Sequence, residues 1–166
     1  TYPVVPLSDI CEINAENKNP ALAFGDDEFI YIDISSVENG TGKIDFSNKI
    51  KGSNAPSRAK RAVKKGDILF STVRPNLKAY GYVEREDFDC CVASTGFAVI
   101  SAKNMVLSKY VYYMLYSEPV QAQLASMMGK GAYPSVNQKD VSQIQIPLPP
   151  LSVQEKAVTE IDRLSL

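Results

Sequence analysis

The segment Val63-Lys-Lys-Gly-Asp-Ile-Leu-Phe-Ser-Thr-Val-Arg-Pro-Asn76 joins a basic turn to an apolar run that ends near a proline. Its central part, Asp67 to Val73, is predicted to form a strand, because β-branched and aromatic residues favour an extended, pleated backbone. Pro75 interrupts this strand, since proline has no N–H to donate to a sheet ladder. The segment therefore predicts a strand after which the chain leaves the sheet with polar and basic side chains.

Strands and helices are predicted on either side of this segment. Strand composition is found in five further stretches: Phe29–Ile34, Ala79–Glu84, Cys90–Ala93, Gly96–Ile100 and Val141–Leu148. From Ser108 the apolar residues recur at helical spacing, and Pro119 is acceptable as the first residue of a second helix. The predicted fold is α+β, with one mixed, strongly twisted β-sheet and packed helices over residues 1–150.

The tail from Leu151 has the clearest helical pattern in the chain. Ser152 and Glu155 have the spacing of a capping box at its start. An apolar stripe at a spacing near 3.5 residues follows, which is typical of helices that pair with another helix. Packing of this helix against its own domain is the alternative. The candidate interface residues are Leu151, Val153, Ala157, Ile161 and Leu164.

Charge is distributed unevenly along the chain, although the net charge is only −1. Between Lys49 and Val83 there are nine basic residues and a single acid, Asp67. A strongly basic segment on an acidic body is the pattern expected of a site for a polyanion such as a nucleic acid. We expect the cationic side chains of this window to converge on one outward surface. A solvated surface run of charges is the other interpretation.

The composition argues against several kinds of chemistry. The chain has no histidine, which removes the commonest general base and metal ligand. Cys11, Cys90 and Cys91 do not suggest a disulfide framework, and they indicate a cytoplasmic protein. No Gly-rich phosphate loop and no apolar run long enough for a membrane span are present. We therefore expect no catalytic residue, metal or cofactor, and we interpret Asp26–Glu28 as a solvated acidic turn.

Four segments, in this order, resemble the target-recognition domain of type I restriction-modification specificity subunits. They are Tyr31-Ile-Asp-Ile-Ser-Ser-Val37; Ala55-Pro-Ser-Arg-Ala-Lys-Arg61 with the Val63–Asn76 segment; Ser94-Thr-Gly-Phe-Ala-Val99; and Tyr133-Pro-Ser-Val-Asn137 leading into Ile146-Pro-Leu-Pro-Pro-Leu-Ser-Val-Gln-Glu155. The last is the most diagnostic, because in that family it marks the passage from the recognition domain to a spacer helix.

The resemblance implies a DNA reader without catalytic activity of its own. It implies a recognition domain over residues 1–150 and the start of a spacer helix over 151–166. Such a domain reads one half of a split target in double-stranded DNA, while a partner subunit methylates adenine and a restriction subunit, contacted indirectly, cleaves. The spacer helix would serve docking of the methyltransferase subunit or a dimer formed through the helix. A protein-interaction domain, and a reader domain fused to a methyltransferase, are the alternatives.

Basic and polar residues near the predicted loops are the candidate DNA contacts. The group around Arg58 is predicted to hold phosphates, and Arg74 and Asn76 are of the types that read guanine and adenine edges. A structural turn, in which Asn76 bonds its own backbone, is the alternative there. Tyr133 is a stacking candidate, or else a residue that seals the core. The full set is Arg58, Lys60, Arg61, Arg74, Asn76, Lys78, Lys130 and Tyr133.

Overall fold

The computed structural model describes residues 1–129, 131 and 133–164. The strands in this part of the chain are β1 (Val4–Pro6), β2 (Cys11–Ile13), β3 (Glu28–Ile32), β4 (Lys49–Lys51), β5 (Ala59–Ala62), β6 (Ile68–Ser71), β7 (Tyr80–Tyr82), β8 (Cys91–Ser94), β9 (Phe97–Ala102) and β10 (Gln145–Pro147). The helices are α1 (Leu7–Ile10), α2 (Pro20–Phe24), α3 (Ser108–Leu115), α4 (Glu118–Met127), α5 (Gln138–Ser142) and α6 (Leu151–Leu164).

The strands form three sheets. An antiparallel sheet has the order β2-β9-β6-β7, and a mixed sheet has the order β4-β3-β8-β5, with β3 and β8 parallel. A short antiparallel pair joins β1 to β10. The α+β class is confirmed, but the strands are divided among three sheets where the sequence predicted one. The reason is that the chain passes from one sheet to another at Thr95–Gly96: it leaves the mixed sheet at the end of β8 and enters the antiparallel sheet as β9.

The antiparallel sheet lies between helices and the mixed sheet, and both of its faces are buried. Ile68 and Phe70 belong to the large core that α3 and α4 cover. Leu69, on the opposite face, packs in a second core with Ile32 of the mixed sheet. Burial of both faces explains why Ile68, Leu69 and Phe70 are apolar in succession, where a strand with one exposed face would alternate.

The segment before the last strand differs from the prediction. Val141 ends up in α5, and only Gln145–Pro147 is extended as β10. The helix forms because Asn137 and Asp140 make a reciprocal capping box: the Asp140 amide donates to the Asn137 side chain at 2.8 Å, and the Asn137 amide donates to the Asp140 carboxylate at 3.0 Å. The predicted strand over 141–148 was therefore wrong in its first half.

Helix α6 begins one residue before the predicted serine cap. The Pro150 carbonyl accepts from the amides of Val153 and Gln154 at 3.0 and 3.1 Å, so Ser152 lies inside the first turn. The fully buried Gln154 accepts from the Leu107 amide at 2.8 Å and donates to the Pro149 carbonyl at 2.8 Å. These bonds tie the start of α6 to the rest of the domain.

No helix among the described residues is long and apolar enough to span a membrane.

Candidate nucleic-acid interface

The two-residue connection Thr95–Gly96 gathers several loops at one edge of the molecule. The amide of Thr95 donates to the carbonyl of Arg58, 2.9 Å away. On the other side, the amide of Thr72 donates to the Gly96 carbonyl at 3.0 Å. Ile34 reaches the same place, because a Cβ on Gly96 would lie 2.6 Å from its Cδ1. We call this region the loop edge and define it as residues 33–39, 55–61, 72–78, 95–96 and 133–137.

Arg74 and Tyr133 form a stacked pair on the loop edge. Their segments are joined through the backbone, since the Arg74 amide donates to the Pro134 carbonyl at 2.7 Å. The Arg74 guanidinium carbon lies 4.8 Å from the centre of the Tyr133 ring, within cation–π range. The ring is 74% exposed, so Tyr133 does not seal the core. No acceptor among the described residues pairs with the Arg74 guanidinium, whose N–H groups are thus available to a ligand.

The turn Pro75–Leu77 has an unusual backbone at both ends. Arg74 precedes it with φ +47° and Lys78 follows it with φ +58°, a left-handed conformation that side chains with a Cβ seldom adopt. Strain of this kind persists only where surrounding contacts hold it, and it concentrates at functional sites. Asn76 projects from the turn, is exposed, and makes no side-chain hydrogen bond to the described residues.

Tyr80 holds this turn from inside the core, a role that the sequence did not reveal. Its fully buried hydroxyl donates to the Pro75 carbonyl at 2.6 Å and accepts from Gln121 of α4 at 3.1 Å. Burial raises the pKa of Tyr80 to about 12, so the hydroxyl keeps its proton. Gln121, Tyr80 and Pro75 thus connect α4 to the loop edge.

Arg58 and Lys60 are both exposed on the loop edge. β5 pairs antiparallel with β8, and its register shifts between Ala59 and Arg61, as at a β-bulge. Lys60 occupies the shifted position, so its side chain points outward over a cavity of about 310 Å³ that Lys18 also lines. Lys18 was not predicted as a residue of the site. Its amide donates to the Lys60 carbonyl at 2.9 Å, and no sequence pattern indicates this pairing.

Arg61 differs from its neighbours. It is half-buried, and its Nε is buried without a hydrogen-bond partner among the described residues. Burial lowers the pKa of its guanidinium from the ordinary value, because desolvation disfavours the charged form. Arg61 is therefore less accessible to a ligand than Arg58 or Lys60.

Lys78 is half-buried and lies on the loop edge, at the end of the strained turn. Other basic residues of the 49–83 window lie elsewhere. Lys64 and Lys65 precede β6, at the end opposite Arg74, and Lys65 forms an ion pair with Glu86. Lys51 pairs in register with Glu28 at the start of β3, whereas the loop edge adjoins the end of β3. The expectation that the whole window forms one surface is corrected, because Lys64 and Lys65 lie at the end of β6 opposite Arg74 and the loop edge.

Two further predictions concerned Lys130, as a DNA contact, and Asp26–Glu28, as a solvated acidic turn. Lys130 lies outside the described residues. The acidic turn Asp26–Glu28 is exposed, and among the described residues no three Cys, Asp or Glu side chains cluster so as to hold a metal ion.

The predicted interface stripe of α6 is shared between the domain and solvent. Ala157 packs against the large core, as the alternative interpretation, a helix packed on its own domain, requires. Val153 and Ile161 are half-buried, whereas Leu151 and Leu164 are 43% and 77% exposed. Asp162 adds polar contacts: it lies 3.3 Å from the ammonium of Lys109 and accepts a hydrogen bond from Tyr113. Only the outer part of the stripe is free for another protein.

Comparison with known proteins places these features in a family. A family model described as the type I restriction modification DNA specificity domain matches residues 1–166. The specificity subunit of the type I restriction enzyme HindI from Haemophilus influenzae is 29% identical over 140 residues, which are 82% of this chain and 27% of that subunit.

Solved structures agree in fold. The crystal structure of the HsdS subunit from Thermoanaerobacter tengcongensis matches 98% of this chain with a TM-score of 0.86 and 34% identity. A chain solved in work on complex assembly and conformational transition of the type I restriction-modification system matches 99% with a TM-score of 0.87 and 35% identity. A type I S subunit from M. genitalium, at 10% identity and a TM-score of 0.57, shares the fold alone.

This chain spans 42% of each of the first two solved chains and about a quarter of the HindI subunit. The family match covers its whole length, as the four sequence segments predicted. The chain belongs to the family of type I restriction-modification DNA specificity domains.

Proposed function

We propose that this chain binds double-stranded DNA and reads one half of a split target through the loop edge, by binding and not by catalysis. The observation that carries the proposal is the convergence of exposed cations on that edge: Arg58 and Lys60 on one side of the Thr95–Gly96 connection and Arg74 on the other. The specificity-domain family and its specificity-subunit relatives support it. We place this activity in the cytoplasm, where Cys11, Cys90 and Cys91 would remain reduced.

The contacts divide into two kinds. Arg58 and Lys60, on flexible stems over an open surface, are suited to phosphates, where any base sequence is accepted. Arg74 is held by the Tyr133 ring and presents its planar N–H fork, which matches the O6 and N7 acceptors of guanine. Asn76, free of internal hydrogen bonds to the described residues, has the donor and acceptor that adenine requires. Lys78, Arg61 and Lys130 remain phosphate candidates.

The partners follow from the same family membership. We propose that residues 1–150 are the recognition domain and that 151–166 begin a spacer helix. Its outward side chains, Leu151 and Leu164 with Val153, are proposed to dock a methyltransferase subunit that modifies adenine, or a second helix in a dimer. Ala157 and Ile161 contribute by setting the position of the helix on the domain. A restriction subunit would join this complex indirectly.

Binding should depend steeply on salt. Four to seven phosphate contacts give a slope of log K against log salt of roughly −4 to −6, because each neutralised phosphate releases condensed counterions. The measurement is fluorescence anisotropy of a labelled 30-base-pair duplex with the chain, alone and with its methyltransferase partner, between 50 and 300 mM NaCl. Absence of binding at 50 mM, or a slope shallower than −1, would exclude the proposed DNA-reading function.

A further inference from the structure

Apolar side chains are exposed in the middle of the loop edge. Val73 is 39% exposed, Leu77 is 43% exposed and Tyr133 is 74% exposed. All three line one open hollow of about 670 Å³, together with Arg74. Exposure of apolar surface costs free energy, and a cluster of it surrounded by polar groups typically marks a binding surface.

The hollow is held in shape by the contacts around it. Leu77 belongs to the turn whose two ends have left-handed backbone and whose Pro75 carbonyl is fixed by the buried Tyr80. Val73 is fixed by an isolated bridge to Ser135. The positions of the apolar groups relative to Arg74 are therefore set before any ligand binds, which lowers the entropic cost of binding.

Acidic groups also line the hollow. The Asp33 side chain accepts from the Ile34 amide at 2.8 Å, and the Glu38 side chain accepts from Thr41 at 2.6 Å. Carboxylates repel phosphates, so in the proposed complex the DNA backbone would lie over the outer cations, Arg58 and Lys60, and not over the hollow. A base edge would then face the hollow. Carboxylates accept hydrogen bonds from exocyclic amino groups, which base edges in the major groove present.

We propose that the hollow receives the C5-methyl group of a thymine in the major groove, packed against Val73 and Leu77 beside the Arg74 fork. The thymine methyl is the apolar group that a base edge offers in that groove. Its A·T pair also carries the adenine amino group, which suits Asp33 or Glu38, the acids that line the same hollow. This inference rests on the proposed function and names one base that the loop edge distinguishes.

The test removes only the methyl group. A duplex is first selected by the chain from a library of 30-base-pair DNA with 12 randomised central positions. It is then remade with deoxyuridine in place of each thymidine in turn. One substitution should weaken binding about fourfold, the effect of leaving one methyl group unburied. Val73→Ala and Leu77→Ala should each reduce the preference for thymidine over deoxyuridine, because each removes one of the two side chains that contact the methyl group, and both should keep the wild-type salt slope.

Val4→Ala is the matched control for Val73→Ala, because Val4 is 61% exposed on β1 and outside the loop edge. It should retain the full thymidine preference. Circular dichroism of each variant checks that the fold is retained. Equal binding of all deoxyuridine duplexes by the wild-type chain, or an unaltered thymidine preference in both folded hollow variants, overturns the thymine contact while leaving DNA binding intact. Failure to bind any duplex overturns the proposed function and the thymine contact with it.

Discussion

The double variant Arg58→Glu/Lys60→Glu is expected to bind duplex DNA about 100-fold more weakly than the wild-type chain at 100 mM salt. Two phosphate contacts are lost, and two negative charges are placed against the backbone. The slope of log K against log salt should become shallower by about 2, since roughly 0.9 counterions are released per contact. Because phosphates carry no sequence information, the loss should be the same for selected and random duplexes.

The choice of positions and the control follow from the structure. Arg58 and Lys60 are exposed, whereas Arg61 is half-buried, so a carboxylate at 61 would test folding as much as binding. Lys64→Glu/Lys65→Glu makes the same change in net charge at the end of β6 opposite Arg74, away from the loop edge. At 100 mM salt charges are screened within about 10 Å, so this control should lose less than fivefold. Equal losses in both double variants would mean that overall charge, not the loop edge, governs binding.

Gly42→Ala is expected to destabilise the domain by about 4 kcal/mol, the sum of overpacking and left-handed strain. A Cβ at Gly42 would lie 2.1 Å from the Tyr80 carbonyl oxygen and 2.3 Å from the Tyr112 hydroxyl. That carbonyl accepts hydrogen bonds from Tyr112 and Tyr116, at 2.9 and 2.8 Å, so the backbone and both hydroxyls would have to move. The melting temperature should fall by roughly 8–16 °C.

Gly40→Ala separates the two causes within the same loop. Gly40 also has a left-handed backbone, with φ +80°, but a Cβ there would meet nothing within 4 Å. Its substitution should cost only about 1 kcal/mol, from backbone strain alone. Thermal unfolding followed by circular dichroism measures both variants. Similar melting temperatures for the two would show that the close approach of Gly42 to Tyr80 contributes nothing.

Residue composition and spacing predicted most of the strands and helices, but not how the strands pair into sheets. Ile68–Ser71 was found as a strand because β-branched and aromatic residues dominate it, and the start of α6 was found to within two residues. The division into sheets was missed because it depends on which strands pair across Thr95–Gly96, a contact between distant segments. Helix α5 was missed because five residues are too few to show a helical repeat of apolar side chains. Its Asn137–Asp140 capping pair could nevertheless have been recognised in the sequence.

The candidate site shows the same limit. The basic window pointed to Arg58, Lys60 and Arg74, which the structure brings to the loop edge, but also to Lys65, which pairs with Glu86 elsewhere. The sequence shows that these residues are basic, but not at which end of a strand each one lies. Lys65 and the residues of the loop edge therefore could not be told apart. Lys18 and Tyr80 were missed as participants because each acts through a partner more than 40 residues away.

Amide hydrogen exchange with and without a selected duplex tests most directly whether DNA lies on the loop edge. We expect DNA to slow exchange in peptides covering residues 55–61, 72–78 and 133–137. Peptides from β1 and from α6 should exchange at the same rate in both samples. Slowed exchange confined to α6, or bound DNA that leaves 72–78 unchanged, would contradict recognition through this edge.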